Sequence, residues 1–233
     1  MDEMYWHKIF EEKAAAFPDD LKKQVGKTIN GRACDEALIQ VMVNQISTLL
    51  QLSSDDIVLD LCCGNGLITR QVAEEVKQIV GMDFSAGLIN TARTVNHAPN
   101  IEYVQANVMT LTASQLSLAE KCYIHESLMY FTPESLSELL QRLTMAGITR
   151  IVLAGIPDAD KIWDFYNTPE KQAYYHQCEQ AQRPHMGHWW LQHELAEVAL
   201  KCGFQPRFSA EHPALQTAYF RFDCVLEKYP AAI

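Results

Sequence analysis

The 233-residue sequence is poor in several features that would assign it to a special class. Seven cysteines, Cys34, Cys62, Cys63, Cys122, Cys178, Cys202 and Cys224, are scattered and include no Cys-x-x-Cys pair. That spacing argues against a disulfide framework and a structural zinc site, so no metal is expected. No stretch concentrates Lys or Arg, and the formal net charge is −10. A protein that grips phosphate backbones or anionic lipid usually presents a basic face, so neither nucleic acid nor membrane is the expected partner. The apolar runs at 57–63 and 151–156 fall far short of the ~18 residues needed to span a bilayer. The N-terminus lacks the basic start and apolar run of a secretory signal, and a cytoplasmic location is expected. There is also no internal repeat, low-complexity tract or Gly/Ser linker, and no oligomeric state is assigned.

What is present is a single-domain pattern across 1–233, with 48% apolar and 21% charged residues. Short β-branched runs alternate with amphipathic segments, the pattern of an α/β domain with a mainly parallel sheet. Strands are expected at 57–63, 78–84, 101–107, 121–127, 150–157, 205–211 and 218–227. The last two lie close together, separated by residues 212–217, which include His212, Pro213 and Ala214; so short a link holds no crossover helix, and they therefore form an antiparallel hairpin. Helices are expected at 35–50, 67–76, 86–95, 133–145 and 189–201. Thr132-Pro133-Glu134 supplies an N-cap, a proline at the first helical position and an early acid. Residues 1–34 and 158–188 fall outside this rhythm. They are rich in aromatics and are placed as a cap and a lid over the carboxyl edge of the sheet.

Residues 55–66 read D-D-I-V-L-D-L-C-C-G-N-G and lead into the helix expected from Leu67. A strand that ends in a glycine turn and feeds a helix lets backbone approach a ligand closely. The next strand ends in Asp83, 19 residues after Gly64, where a carboxylate can accept both hydroxyls of a ribose. The dinucleotide version of this unit requires G-x-G-x-x-G, but position 69 is Thr. No Gly-Lys-Ser or Gly-Lys-Thr follows the strand, which excludes a P-loop.

V-L-D-L-C-C-G-N-G (58–66) and G-M-D-F-S (81–85) resemble the first two signature motifs of class I S-adenosylmethionine-dependent methyltransferases. The resemblance extends through Gln105-Ala106-Asn107 and His125–Pro133 to the terminal hairpin. It implies a three-layer Rossmann-like fold: a seven-stranded, mostly parallel sheet of order 3-2-1-4-5-7-6 with strand 7 antiparallel, plus the N-terminal helical extension and the lid insertion. It implies that Asp60, Cys62, Gly64 and Gly66 surround the methionine moiety of S-adenosylmethionine. Asp83 then binds the ribose, Phe84 packs near the adenosine, and Asn107 with the backbone of Val108 faces the adenine edge. The family more often has Asp at position 107; Asn keeps the oxygen acceptor.

The acceptor is expected at the end of strand four, in H-E-S-L-M-Y. His125 is the candidate general base, Glu126 a group that binds a substrate cation or orients that histidine, and Tyr130 a pocket wall. Strand alternation means that His125 and Glu126 cannot both face the pocket from ideal β geometry. Trp163 and Tyr166 either line an acceptor pocket or form the insertion's own core, and His185 and His188 either contact substrate or sit solvated in the lid. The expected activity is methyl transfer to an oxygen or nitrogen of a small-molecule acceptor. Two alternatives stand beside it: a non-catalytic cofactor-binding subunit and a nicotinamide-dependent oxidoreductase. Thr69 and the absence of a Tyr-x-x-x-Lys pair disfavour the last.

Overall fold

The computed structural model describes residues 3–29 and 31–229. Met1, Asp2 and Asn30 of the expected N-terminal cap, and residues 230–233 of the expected domain, lie outside the described residues.

Seven strands form one sheet: β1 Ile57–Leu61, β2 Gln78–Asp83, β3 Ile101–Gln105, β4 Lys121–His125, β5 Arg150–Pro157, β6 Phe204–Ala210 and β7 Arg221–Lys228. Their spatial order is β3-β2-β1-β4-β5-β7-β6, and only β7 runs antiparallel to its neighbours. This is the 3-2-1-4-5-7-6 order that the family resemblance implies. Period-two alternation sorts each central strand between two cores. Leu59, Leu61, Val80, Met82, Ile124, Ile151 and Leu153 face one side, while Val58, Ile79, Tyr123 and Val152 face the other.

Helices cover both faces. On the second side lies α3 Glu36–Leu50, which buries Ile39, Val43, Ile46 and Leu50. On the first side α7 Pro133–Ala146 buries Leu136, Leu139, Leu140 and Leu143, an i, i+3, i+4, i+7 stripe. Thr132 caps α7 through Ser135, with Pro133 at its first turn, as the sequence predicts. Each of these leucines removes enough apolar surface from water to stabilise the fold by about 1.5–3 kcal/mol.

Several expected elements are shorter than the pattern suggests, and the hairpin link is longer. Only Thr69–Val72 of the helix placed at 67–76 is α-helical; we call it α4. Beyond it the chain tightens, with Glu74 N–H bonded to Gln71 O and Glu75 N–H to Val72 O, a three-residue spacing that ends the α-helix. The last helix covers Gln192–Lys201, not 189–201. Trp190 is extended instead, because its backbone bridges to Asp158 and its indole N–H donates to Leu128 O at 3.1 Å. The hairpin link runs over residues 211–220 rather than 212–217. Residues 218–220 turn (Phe220 N–H to Thr217 O, 3.0 Å) and send Phe220 into an aromatic cluster.

The N-terminal segment forms helices α1 Glu3–Ala16 and α2 Leu21–Gln24. A two-residue ribbon follows, in which Thr28–Ile29 pairs with Arg32–Ala33. Helix α1 packs on α5 Ala86–Val95; a Cβ at Gly87 would lie 2.8 Å from Cβ of Ala14. Residues 158–188 fold separately, mainly as Ile162–Phe165 and Pro169–Gln180. Tyr166, Trp189 and Phe220 form their core with Phe165, Tyr175 and Met186 packed around it. The segment is tied to the chain after β4 by His188 N–H donating to Met129 O at 2.7 Å. Among the described residues no helix is long and apolar enough to cross a membrane.

Candidate active site

Parallel strands all present their carboxyl ends at one edge, and a crevice opens there where the strand order reverses. Between β1, β2 and β4 lies a cavity of about 370 Å³, within the ~300–1,000 Å³ range of small-molecule sites. Helix α1 roofs it with Trp6 and Phe10, and Val25 and Lys27 follow from the same segment. Residues 3–29 are therefore the cap. Trp163, Tyr166, His185 and His188, expected at the acceptor, do not line the cavity. The insertion satisfies its own aromatic surface: Trp163 packs on Tyr175, and Tyr166 hydroxyl lies 3.1 Å from His185 Nδ1. His188 is taken up by Glu194 at 3.1 Å.

At the β1 end, Asp60 lines the cavity and is 2% exposed. Its Oδ2 accepts hydrogen bonds from Thr69 and Tyr123 hydroxyls, both at 2.6 Å. Burial pushes its pKa up to about 7, against the lowering effect of those two bonds. Sequence reasoning did not single out Tyr123 and used Thr69 only as the break in the dinucleotide pattern; the period of β4, which turns Tyr123 toward the face of Asp60, was the available signal. Asp83 is also buried, and its two oxygens accept Gly64 N–H and Ser85 N–H, each at 2.9 Å. Burial raises this carboxyl as well, opposed by those two backbone bonds. Each oxygen keeps a lone pair for a further donor.

Cys62, Cys63, Gly64, Phe84 and Asn107 line the cavity, whereas Gly66 and Val108 do not. Val108 belongs to the core. Asn107 Oδ1 accepts Met109 N–H at 2.9 Å, so the oxygen expected at the adenine edge also closes a local turn. Burial holds the Cys62 and Cys63 thiols well above their usual pKa, and they remain neutral packing groups. The turn needs left-handed backbone at Cys62 (φ 65°), Gly64 (φ 56°) and Gly66 (φ 77°). Gly66 is required by protein packing rather than by ligand approach: a Cβ there would lie 2.3 Å from Tyr103 Oη. Gly66→Ala is expected to destabilise the fold by about 2–4 kcal/mol, through left-handed strain plus overpacking. A urea midpoint that moves by less than a quarter of the value this implies would contradict the assignment.

At the β4 end, both His125 and Glu126 line the cavity despite strand alternation. β4 stops at His125, and Glu126 adopts φ 49°, which swings its side chain to the same side. Its Cγ occupies the space where a Cβ of Gly155 would lie, 2.6 Å away, and Gly155 (φ 69°) sits at the irregular register of β5 with β7. Lys27 Nζ lies 2.8 Å from Glu126 Oε2, and Arg221 Nη1 lies 3.0 Å from Oε1. Burial alone would raise the Glu126 carboxyl, but Lys27 and Arg221 outweigh it and hold the pKa well below the usual range. Lys27 and Arg221 were not singled out in the sequence, because nothing local marks them as partners of position 126. Burial, reinforced by Lys27, lowers the His125 pKa to about 3. Burial thus keeps His125 neutral at pH 7 and makes it a weak base, which weighs against its expected role as general base. Glu126 already carries two cations and is not the expected site for a substrate cation. Tyr130 lines the cavity and stacks on Trp6 at 4.6 Å.

The cavity thus offers a buried acid with open lone pairs beside an aromatic ring, a second acid at the glycine turn, and backbone held at close approach. Residues 58–146 match a family described as methyltransferase domain. These residues form a class I S-adenosylmethionine-dependent methyltransferase domain. The methyltransferase fold is found along the chain in solved structures of low identity. Magnesium protoporphyrin IX methyltransferase from Synechocystis, with bound S-adenosylhomocysteine, aligns over 98% of this chain and 100% of that one, with TM-score 0.65 and 12% identity. An S-adenosylmethionine-dependent methyltransferase from Anabaena variabilis aligns over 97% and 94%, with TM-score 0.68 and 15% identity. Among curated proteins, a 23S rRNA (uracil(1939)-C(5))-methyltransferase of Xanthomonas euvesicatoria is 32% identical over 117 residues, 50% of this chain. The chain spans only 26% of the length of that relative. The residues at the cavity fit the cofactor: Asp83 has acceptors for ribose hydroxyls, Asp60 an acceptor for an ammonium, and Phe84 a face for the adenosine. Among the described residues no His/Cys/Asp/Glu group could hold a metal ion.

Beneath the methyltransferase site, Asp223 accepts Gly155 N–H at 2.8 Å, and burial raises its pKa to about 7. Folded, Asp223 and Asp60 keep their protons to about pH 7; unfolded, each ionises near pH 4. Folding stability is therefore lost as pH rises from about 4 to about 7. Asp223→Asn retains an acceptor for Gly155 and is expected to flatten the fall in melting temperature between about pH 5 and pH 8. A variant that falls as steeply as the wild type would show that Asp223 ionises normally.

Proposed function

We propose that the chain transfers the methyl group of S-adenosylmethionine to an oxygen or nitrogen of a small-molecule acceptor. The observation that supports this reading is one cavity with cofactor-type groups at β1 and β2 and a separate polar end at β4, under an aromatic cap. When bound, the cofactor would supply an activated methyl carbon: an acceptor lone pair bonds to it in line as its bond to sulfur breaks and S-adenosylhomocysteine leaves. The protein's part is then alignment and exclusion of water. Trp6, Phe10 and Tyr130 wall the acceptor, and the fixed Glu126 carboxylate accepts a hydrogen bond from it. His125 stays neutral beside it as a hydrogen-bonding partner. With no strong base at this end, the acceptor arrives already nucleophilic or loses its proton to solvent.

The rRNA-modifying relatives favour a second reading, in which the acceptor is a base in RNA. The net charge of −10 and the roof formed by Trp6 and Phe10 weigh against it. Incubation with methyl-labelled S-adenosylmethionine and either a small-metabolite extract or total RNA separates the two. Label in the metabolite fraction is the expected result, and label confined to RNA would replace the first reading by the second. S-adenosylhomocysteine, and not NAD, is expected to raise the melting temperature. A shift with NAD alone would favour the oxidoreductase, and a shift without any turnover would favour a binding subunit.

A further inference from the structure

Among the contacts of the described residues that hold the cap over the cavity, two differ in kind. At the glycine turn the anchor is neutral: Asn65 donates to Leu21 O at 2.7 Å and to Gln24 Oε1 at 2.8 Å. At the acceptor end the anchor is charged. Lys27 from the cap and Arg221 from the first position of β7 close on the two oxygens of Glu126. Lys27 and Arg221 side chains are only 7% and 9% exposed. Lys27 Nζ and Arg221 Nε find no further acceptor among the described residues. The neighbouring acids are engaged elsewhere: Glu211 accepts from Thr217 at 2.6 Å, and Asp223 accepts from Gly155 N–H and Gln45.

A buried charge cannot be left without its counter-charge at low cost. If the cap lifts, Lys27 passes into water and Glu126 keeps Arg221 alone. Glu126 also holds φ 49°, a region that a residue with a Cβ adopts only when its surroundings impose it. Losing one of two partners removes part of that imposition. By thermodynamic linkage, displacing Glu126 must in turn loosen the cap.

We infer that Lys27 is a positioning residue: by pairing with Glu126 it couples closure of residues 3–29 to the cavity-facing placement of the Glu126 carboxylate. The acceptor end of the cavity is then complete only while the cap is shut. This rests on the proposed methyl transfer only for what that carboxylate does; the coupling itself is a property of the fold.

Hydrogen exchange of the full chain, saturated with S-adenosylhomocysteine, tests it. Lys27→Met is expected to speed exchange at least about tenfold in residues 5–24 and also in residues 126–130, with α7 unchanged. Lys27→Arg, which keeps the charge, restores protection in both segments to within about threefold of wild type. Glu126→Gln, read from the other side, speeds exchange in residues 5–24. Faster exchange in the cap with 126–130 unchanged would make Lys27 a packing residue and overturn the coupling. So would failure of Lys27→Arg to restore protection, or an unaltered cap in Glu126→Gln, the arm that decides if Lys27→Met does not fold. Failure of the wild type to bind S-adenosylhomocysteine would sink the proposed function. It would leave the coupling standing or falling on exchange in the same variants without ligand.

Discussion

Asp83→Ala is expected to weaken binding of S-adenosylhomocysteine by about 10²-fold or more. If Asp83 holds the ribose as proposed, two hydrogen bonds from its hydroxyls to a carboxylate are lost, each worth about 1.5–3 kcal/mol. The variant also strips the acceptor from Gly64 N–H and Ser85 N–H, which hold the glycine turn against the end of β2. Asp83→Asn keeps one oxygen and should fall between the two. Isothermal titration gives the affinity, and the melting temperature without ligand separates a lost contact from a loosened turn. An affinity within about threefold of wild type, in a folded Asp83→Ala protein, would show that the ribose is held elsewhere.

Glu126→Gln should destabilise the protein by about 3–5 kcal/mol, because it leaves Lys27 and Arg221 buried without their counter-charge. For a chain of this size that corresponds to a fall in melting temperature of about 10 °C. The loss belongs to the missing charge and not to shape, since the amide is nearly isosteric. Adding Lys27→Met and Arg221→Met to the same protein should recover part of it, because the uncompensated cations are then gone. A triple variant less stable than Glu126→Gln would show that the three side chains stabilise the fold mainly through packing. The effect should persist across about pH 5–8, where Glu126 is fully ionised in the folded state.

How much of this was legible beforehand depends on the range of the interaction. The cofactor half is local. Residues 58–66 and 81–85 form one strand–turn–helix–strand unit, and that unit carries Asp60, Gly64 and Asp83 to one sheet edge by geometry alone. Gly66 was legible too, though for a different reason than its motif suggests: the contact that forbids a side chain is Tyr103, on β3. The acceptor half is not local. Glu126 draws its partners from positions 27 and 221, and its orientation depends on an irregularity at Gly155. Aromatic content marked both 1–34 and 158–188 as coverings, yet only the first roofs the cavity. Residues 158–188 pack instead against Trp189 and Phe220, away from the cavity.

The amino-acid sequence by itself determined the alternating strands and helices, the glycine turn and the carboxylate at the end of β2, and its family resemblance supplied the sheet order. Hydrophobic alternation, glycine placement and strand-end spacing are each written within about 30 residues of chain. Only the tertiary structure decided which covering segment closes the site, why His125 is a weak base, and how Glu126 comes to face the same cavity. Those properties arise from burial and from charges brought together across nearly 200 positions, and no local pattern encodes a distance of that kind.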